Sequence, residues 1–242
     1  MSIGDAEIKT QERVIRFFKD PEILGYQYIG NLSDYQNKNI KEDRLRQYLR
    51  LKGYADKLID AAVMQLQQEA GNLSRGVYDA NKTVYSRLKY GIPVSESPEK
   101  PPVTVELIDE ANPLNNDFAI AEEVTVVEQQ EKRPDLVIYL NGIAVAVIEL
   151  KRSSISVSEG IRQNLTNQKD SFIRDFFTTM QFCMAGNESE GLRYGTLLTG
   201  EKFYMEWKDD GFKEHEEERD PVDIRISETC AGIENKLLKQ IY

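Results

Sequence analysis

Residues 133–152, RPDLVIYLNGIAVAVIELKR, constrain the fold of this chain more than any other stretch. Two apolar runs rich in β-branched residues, DLVIYL and IAVAVIEL, flank Asn141-Gly142. That dipeptide suits the positive φ angles of a two-residue hairpin turn, so the segment reads as an antiparallel hairpin. It nevertheless keeps Asp135, Glu149 and Lys151. Charge buried in a strand costs several kcal/mol unless it is paired or binds a metal.

Glu149 and Lys151 lie two apart and project from one face, with Leu150 on the other. Asp135 opens the neighbouring strand. A strict two-residue turn pairs Leu140 with Ile143, hence Asp135 with Ile148, and turns Glu149 away from Asp135. One bulge, or a three-residue connection, pairs Asp135 with Glu149 instead. Apolar patterning on both faces does not choose between these registers; the charges predict a bulge or a longer turn. Two carboxylates would then share a site with an ammonium, and the Leu150 carbonyl would be a third protein ligand for a hard divalent cation. A cation there polarises a phosphoryl oxygen and acidifies a water, while Lys151 orients that water or stabilises developing negative charge. The alternative is an exposed strand end carrying a surface Glu–Lys pair. Pro-Asp followed by Glu-x-Lys arises by chance in about one chain in ten of this length. Context, not the motif alone, therefore carries the metal reading.

The remaining chain supplies the scaffold. DAEIKTQERVIRFFKD is an amphipathic helix with the stripe Ile8, Ile15 and Phe18 and a possible cap at Asp5. Glu12 falls on the same side, either reaching out to water at the stripe's edge or pointing into a polar site. Residues 41–90 are helical, with Ile59, Val63 and Leu66, then Val77, Val84 and Leu88, on buried faces. Gly91 and Pro93 end that region, and GIPVSESPEKPP is a surface connection. From residue 103 the period becomes two, in VTVELID, FAIAEEVTVV and the hairpin. A helix from about 158 to 184 follows, burying Ile161, Leu165, Phe172, Phe176 and Met180. LRYGTLLT and KFYMEW form a further hairpin, and a last helix covers about 222–242. This order predicts an α/β or α+β fold with a mixed sheet.

Composition then removes several chemistries. The single histidine, His215, lies in a charge run, and Cys183 and Cys230 stand far apart. Zinc and Ser-His or Cys-His catalysis are disfavoured, and a metal held by carboxylates is expected to be Mg²⁺ or Mn²⁺. The two thiols read as free and buried in a reducing compartment, which predicts a cytoplasmic protein. No run is long enough to span a membrane, and the N-terminus lacks a signal-peptide core. A net charge of −10 argues against a surface that grips nucleic acid everywhere, but leaves room for a local cationic groove. Lys132, Arg133, Arg152 and Arg162 flank the acidic pair and are candidates for phosphate contacts, or simply solubilising charges. GTLLTGEKF has the glycine spacing of a phosphate loop. It puts Glu201 where a lysine is required, and so reads as a β-turn.

Pro134-Asp135 with Glu149-Leu150-Lys151 resembles the PD-(D/E)xK nuclease motif. The wider stretch is similar to the N-terminal nuclease domain of the type I restriction endonuclease R subunit (HsdR). The likeness extends through TQERVIRFF, NKTVYSRLKYGIPV, LIDEANPLNNDFAIAEEVTV, GIRQN and LRYGTLLTGEKFYMEW, from about residue 10 to 207. It implies a restriction-endonuclease-like core at about 103–207, a mixed sheet flanked by helices, with the helical stretch 41–90 as an insertion. It implies Mg²⁺-dependent cleavage of double-stranded DNA, with Asp135 and Glu149 as metal ligands and Lys151 as the catalytic lysine. Glu12 would correspond to the family's first-helix carboxylate. Gln163 matches the glutamine of the family's Gln-x-x-x-Tyr motif, but Asn167 stands at the tyrosine. The resemblance also implies a single nuclease domain, residues 1–242, cut from a longer ATP-dependent translocase. ATP would be used only by motor lobes beyond the 222–242 helix, and the partners would be methyltransferase and specificity subunits. Two other readings stay open: a docking module in which residues 41–90 attach to the methyltransferase core, and a stand-alone repair nuclease.

Overall fold

The β-branched runs around Asn141-Gly142 become two adjacent strands with no exposed residue, and the rest of the molecule is arranged to cover them. The computed structural model describes residues 3–206. In chain order its elements are α1 (Ile3–Lys19), β1 (Gln27–Asn31), α2 (Glu42–Leu51), α3 (Asp56–Ala70), α4 (Val77–Tyr90), β2 (Ile92–Val94) and β3 (Val103–Val105). There follow β4 (Phe118–Glu122), β5 (Val126–Val127), β6 (Glu131–Lys132), β7 (Leu136–Leu140), β8 (Ile143–Leu150), α5 (Val157–Asn167), β9 (Phe182–Asn187), β10 (Gly191–Gly195) and β11 (Met205–Glu206). The expected last helix, His215 and Cys230 lie outside the described residues.

Seven strands form one sheet in the order β1-β4-β7-β8-β9-β10-β11. The pairs β1–β4 and β8–β9 are parallel and the other four antiparallel, so the sheet is mixed. One face, carrying Ile120, Leu136, Ile138, Ile148 and Met184, packs under α1 to α4 through residues such as Phe18, Leu49, Leu66 and Leu88. The opposite face, carrying Ala121, Val137, Tyr139, Val147 and Cys183, is covered by Ile173, Phe176, Phe177 and Met180. Burial on both sides is why β7 and β8 read as unbroken apolar runs rather than alternating ones.

The turn itself is buried. Asn141 (φ 52) and Gly142 (φ 84) both take the left-handed region that a two-residue hairpin turn of this hand needs. A Cβ on Gly142 would stand 2.7 Å from the Lys41 carbonyl oxygen, because the start of α2 sits directly on it. Helices α2 to α4 fill the predicted 41–90 segment, but they share the apolar cluster of the sheet instead of standing apart from it.

Three expectations are corrected. The sheet reaches back to Gln27–Asn31, outside the span 103–207. FAIAEEVTVV is not one strand: Glu123 adopts φ 50 and breaks it after Glu122. The helix expected over 158–184 stops at Asn167, and Arg174–Thr179 form a short 3-10 segment before β9 begins. A continuous helix there would run about 40 Å, well beyond the roughly 26 Å of an eight-residue strand. The chain instead turns back: the Asn167 carbonyl accepts from the Ile173 N–H at 3.2 Å. Phe182–Asn187 then run parallel to β8.

Candidate active site

The β7–β8 ladder contains the irregularity that the charges require. Leu140 pairs with Ile143 and Tyr139 with Ala144 at the tight turn. Beyond it Ile138 pairs with Ala146, Val137 with Val147 and Leu136 with Ile148, leaving Val145 as an extra residue on β8. The bulge exchanges the two faces of the strand. Ile143 and Val145 belong to the α1–α4 face before it; Ala146, Ile148 and Leu150 belong to that face after it. Val147 therefore faces the other way, with Val137 and Tyr139. Alternation carries Glu149 and Asp135 to that same side.

Glu149 is fully buried. Its Oε2 accepts from the Gln163 Nε2 of α5 at 2.6 Å, whereas its Oε1 has no hydrogen-bond partner. Helix α5 comes this close because Gly160 lies on its inner side. A Cβ there would stand 2.9 Å from the Ala185 Cβ and 3.5 Å from the Glu149 Cβ. The helix starts cleanly, with the Ser156 side chain accepting from the Ser158 N–H. Asp135 Oδ2 accepts from the Leu150 N–H at 2.6 Å, which ties the start of β7 to the end of β8. Lys151 Nζ donates to the Leu150 carbonyl at 2.9 Å, and its backbone N–H bonds the Gly186 carbonyl at 2.9 Å. Asp135, Glu149, Leu150, Lys151 and Gln163 thus meet in one place.

Burial, and then the neighbouring Asp135 carboxylate, push the Glu149 carboxyl well above its ordinary range, against the pull of Lys151. A buried acid with one unpartnered oxygen beside a second carboxylate is a poor structural element and a good cation receptor. Among the described residues no three His, Cys, Asp or Glu side chains converge closely enough to cage an ion by themselves. The donor set fits Mg²⁺ or Mn²⁺, which accept few protein oxygens and complete their shell with water. It offers the Glu149 Oε1, the Asp135 carboxylate and the Leu150 carbonyl, whose second lone pair remains beside the Lys151 bond.

The other expected residues fare differently. Glu12 is exposed. The buried polar residue of α1 is its neighbour Gln11, whose Nε2 bonds Glu122 Oε2 at 3.1 Å and Glu123 Oε1 at 3.2 Å. The stripe is displaced accordingly: Val14, Ile15 and Phe18 are buried, but Ile8 is 55% exposed. Asn167 is buried with its backbone closing the turn after α5. Of the four cations around the site, Arg133 pairs with Glu123 at 2.8 Å. Arg162 pairs with Glu159 and Glu201, each at 2.8 Å. Lys132 lies over the Phe172 ring, 4.9 Å from its centre, and Arg152 is half-buried next to Lys151. The near-miss phosphate loop is a turn, with the Thr199 N–H bonded to the Thr196 carbonyl. Cys183 is a buried free thiol held near 12 by burial. Sequence reasoning passed over Gln11 and Glu123, although Glu122-Glu123 inside an apolar strand-like run is the same signal that marked Asp135.

The family described as type I restriction enzyme R protein N terminus matches residues 7–203. The chain belongs to this family. It is also similar to the type I restriction enzyme MjaIXP endonuclease subunit, so named, of Methanocaldococcus jannaschii: 33% identical over 137 residues, covering 52% of this chain and 13% of that protein. The chain therefore spans a small part of the relative it matches. The mixed seven-stranded sheet flanked by helices agrees with the PD-(D/E)xK-like core expected of this R-protein N terminus. No helix among the described residues is long and apolar enough to cross a membrane.

Proposed function

We propose that this R-protein N terminus is a metal-dependent endonuclease domain that hydrolyses phosphodiester bonds of double-stranded DNA within a type I restriction complex. The observation that carries the reading is the bulge at Val145, which turns Glu149 onto the face of Asp135 and leaves one Glu149 oxygen buried and unpartnered. Asp135, Glu149 and the Leu150 carbonyl would hold Mg²⁺, or Mn²⁺ in its place, which supplies a Lewis acid at the scissile phosphate and a water of lowered pKa. Gln163 fixes the Glu149 carboxylate by holding Oε2, so that Oε1 stays available. Lys151 places an ammonium at the rim of the same site, where it orients the attacking water and offsets the charge that grows on the phosphoryl oxygens. Asp135 is held by the Leu150 N–H, so the two strand ends move as one body.

The partners of this reading are double-stranded DNA, the methyltransferase and specificity subunits, and motor lobes in the same full-length protein, where ATP would be consumed. An acidic domain suits this arrangement, because tethering to a motor supplies the local concentration that its own surface does not. Supercoiled plasmid carrying recognition sites, incubated with the complete R subunit, its partner subunits, ATP and Mg²⁺, is the test. Asp135→Ala is expected to lower cleavage by about 10³-fold or more while assembly and ATP hydrolysis persist. Undiminished cleavage by this variant refutes the assignment, and lost assembly favours a docking role instead.

A further inference from the structure

We propose that Glu123 is a third acidic residue of the cation site, one that strengthens divalent-ion binding through its charge without itself contacting the ion. The inference rests on the nuclease reading for the nature of the site. On β4 the residues Ala119 and Ala121 face the same side of the sheet as Val137 and Val147. Glu123 follows one residue past the strand, where its φ of 50 ends the alternation and its side chain reaches Gln11 of α1. The β4–β7 ladder pairs Glu122 with Leu136, and the β7–β8 ladder pairs Leu136 with Ile148. Continued by one residue through the Glu123 N–H bond to the Asp135 carbonyl, the backbones of Glu123, Asp135 and Glu149 lie abreast in three neighbouring chain segments, about 4.8 Å apart at each step.

The chain invests in this position. Glu123 holds φ 50, a conformation that a non-glycine residue seldom adopts. Its N–H donates to the Asp135 carbonyl at 2.8 Å, and the Val124 N–H to the Pro134 carbonyl at 3.0 Å. Those two bonds anchor the start of β7 whatever side chain stands at 123. The side chain is tied separately: Oε1 accepts from Gln11 at 3.2 Å, and Oε2 pairs with Arg133 at 2.8 Å. In that pair the Arg133 side chain is 56% exposed and Glu123 only 26%, so water screens the cation more than the acid. The fully buried, unpartnered Glu149 Oε1 marks where a cation would be received. The absence, among the described residues, of three converging ligands sets the role of Glu123 as action at a distance.

An acid acting by charge and an acid acting as a brace differ in sign. Glu123→Gln removes the charge and keeps an acceptor for Gln11; Arg133→Gln removes the opposing charge. Calorimetric titration of this chain with Mn²⁺ alone is expected to show binding weakened about fivefold by Glu123→Gln. That difference should shrink as NaCl is raised from 50 to about 500 mM. Arg133→Gln should tighten binding. Melting curves in chelator establish that each variant is folded, and Arg133→Gln keeps the proposal open to refutation if Glu123→Gln is not. Unchanged affinity in Glu123→Gln, a difference that ignores salt, or parallel weakening by both variants overturns the role of Glu123. If Asp135→Ala abolishes Mn²⁺ uptake while Glu123→Gln does nothing, the Glu123 inference alone falls. A wild-type protein that takes up no Mn²⁺ overturns both it and the cation reading.

Discussion

The two ends of the β7–β8 hairpin bury polar groups on opposite terms. At the turn, Asn141 is completely buried, and its backbone N–H and both ends of its side-chain amide are used. Its N–H and Nδ2 donate to the carbonyls of Asp117 and Leu107 and to Asn116 Oδ1, and its Oδ1 accepts from the Asp117 N–H. At the open end, Glu149 is equally buried, has one oxygen unpartnered, and faces another carboxylate. One end is finished when the chain folds; on the proposed reading, the other is finished only when a cation binds. The difference separates polar burial that specifies a fold from polar burial that awaits a ligand.

Breaking the finished end should cost stability first. Asn141→Ala strands the Leu107 carbonyl and the Asp117 N–H, leaves Asn116 Oδ1 with only the Asp109 N–H, and puts a residue without side-chain compensation at φ 52. Urea denaturation should show a loss of about 3–4 kcal/mol. Cleavage by the variant, measured cold where it is still folded, should stay near wild type; loss of chemistry at full folding would erase the distinction. Gln163→Ala at the open end is the converse. It releases Glu149 Oε2, and cleavage is expected to fall about 10- to 100-fold with little change in melting temperature in chelator.

A smaller effect separates the ends by pH. Asp109, whose backbone N–H bonds the same Asn116 Oδ1 that Asn141 uses, is held down to about 2 by Lys52, by the Asn115 side chain and by the Asn112 N–H. A carboxyl depressed in the folded state stabilises the fold fully above its ordinary value of about 3.9 and loses that contribution as pH falls toward 2. The urea midpoint should therefore drop between pH 4 and 2, and Asp109→Asn should flatten that drop while lowering the midpoint at pH 7. An unchanged slope would remove Asp109 from the network of the turn.

Much of this contrast was legible in the residues. Asn141-Gly142 announces a turn by its φ requirement alone, and three charges in apolar runs demand the bulge. The failures have physical causes. Phe182–Asn187, a parallel strand buried on both faces, has no alternation to betray it, and Phe172, Phe176 and Met180 at fourfold spacing imitate a helical stripe. On α1, a rotation of 100° separates Gln11 from Glu12. A three-residue stripe does not fix the helix that finely, particularly when Ile8 proves to be exposed. Glu123 was hidden because its strand ends one residue early, a break made by hydrogen bonds to Pro134 and Asp135 that local propensity does not encode.

The extra valine on β8 has an implication for how such a domain gains or loses its chemistry. Val145 is aliphatic, touches no reacting group and would be scored as interchangeable in any comparison of side-chain types. Yet an in-frame loss of that single codon would rotate every later residue of the strand by half a turn, sending Glu149 into the helical layer with each acidic letter still present in the gene. On the proposed reading, catalytic competence is written in the spacing of a hydrophobic segment, and inventories of polar residues would miss its disappearance.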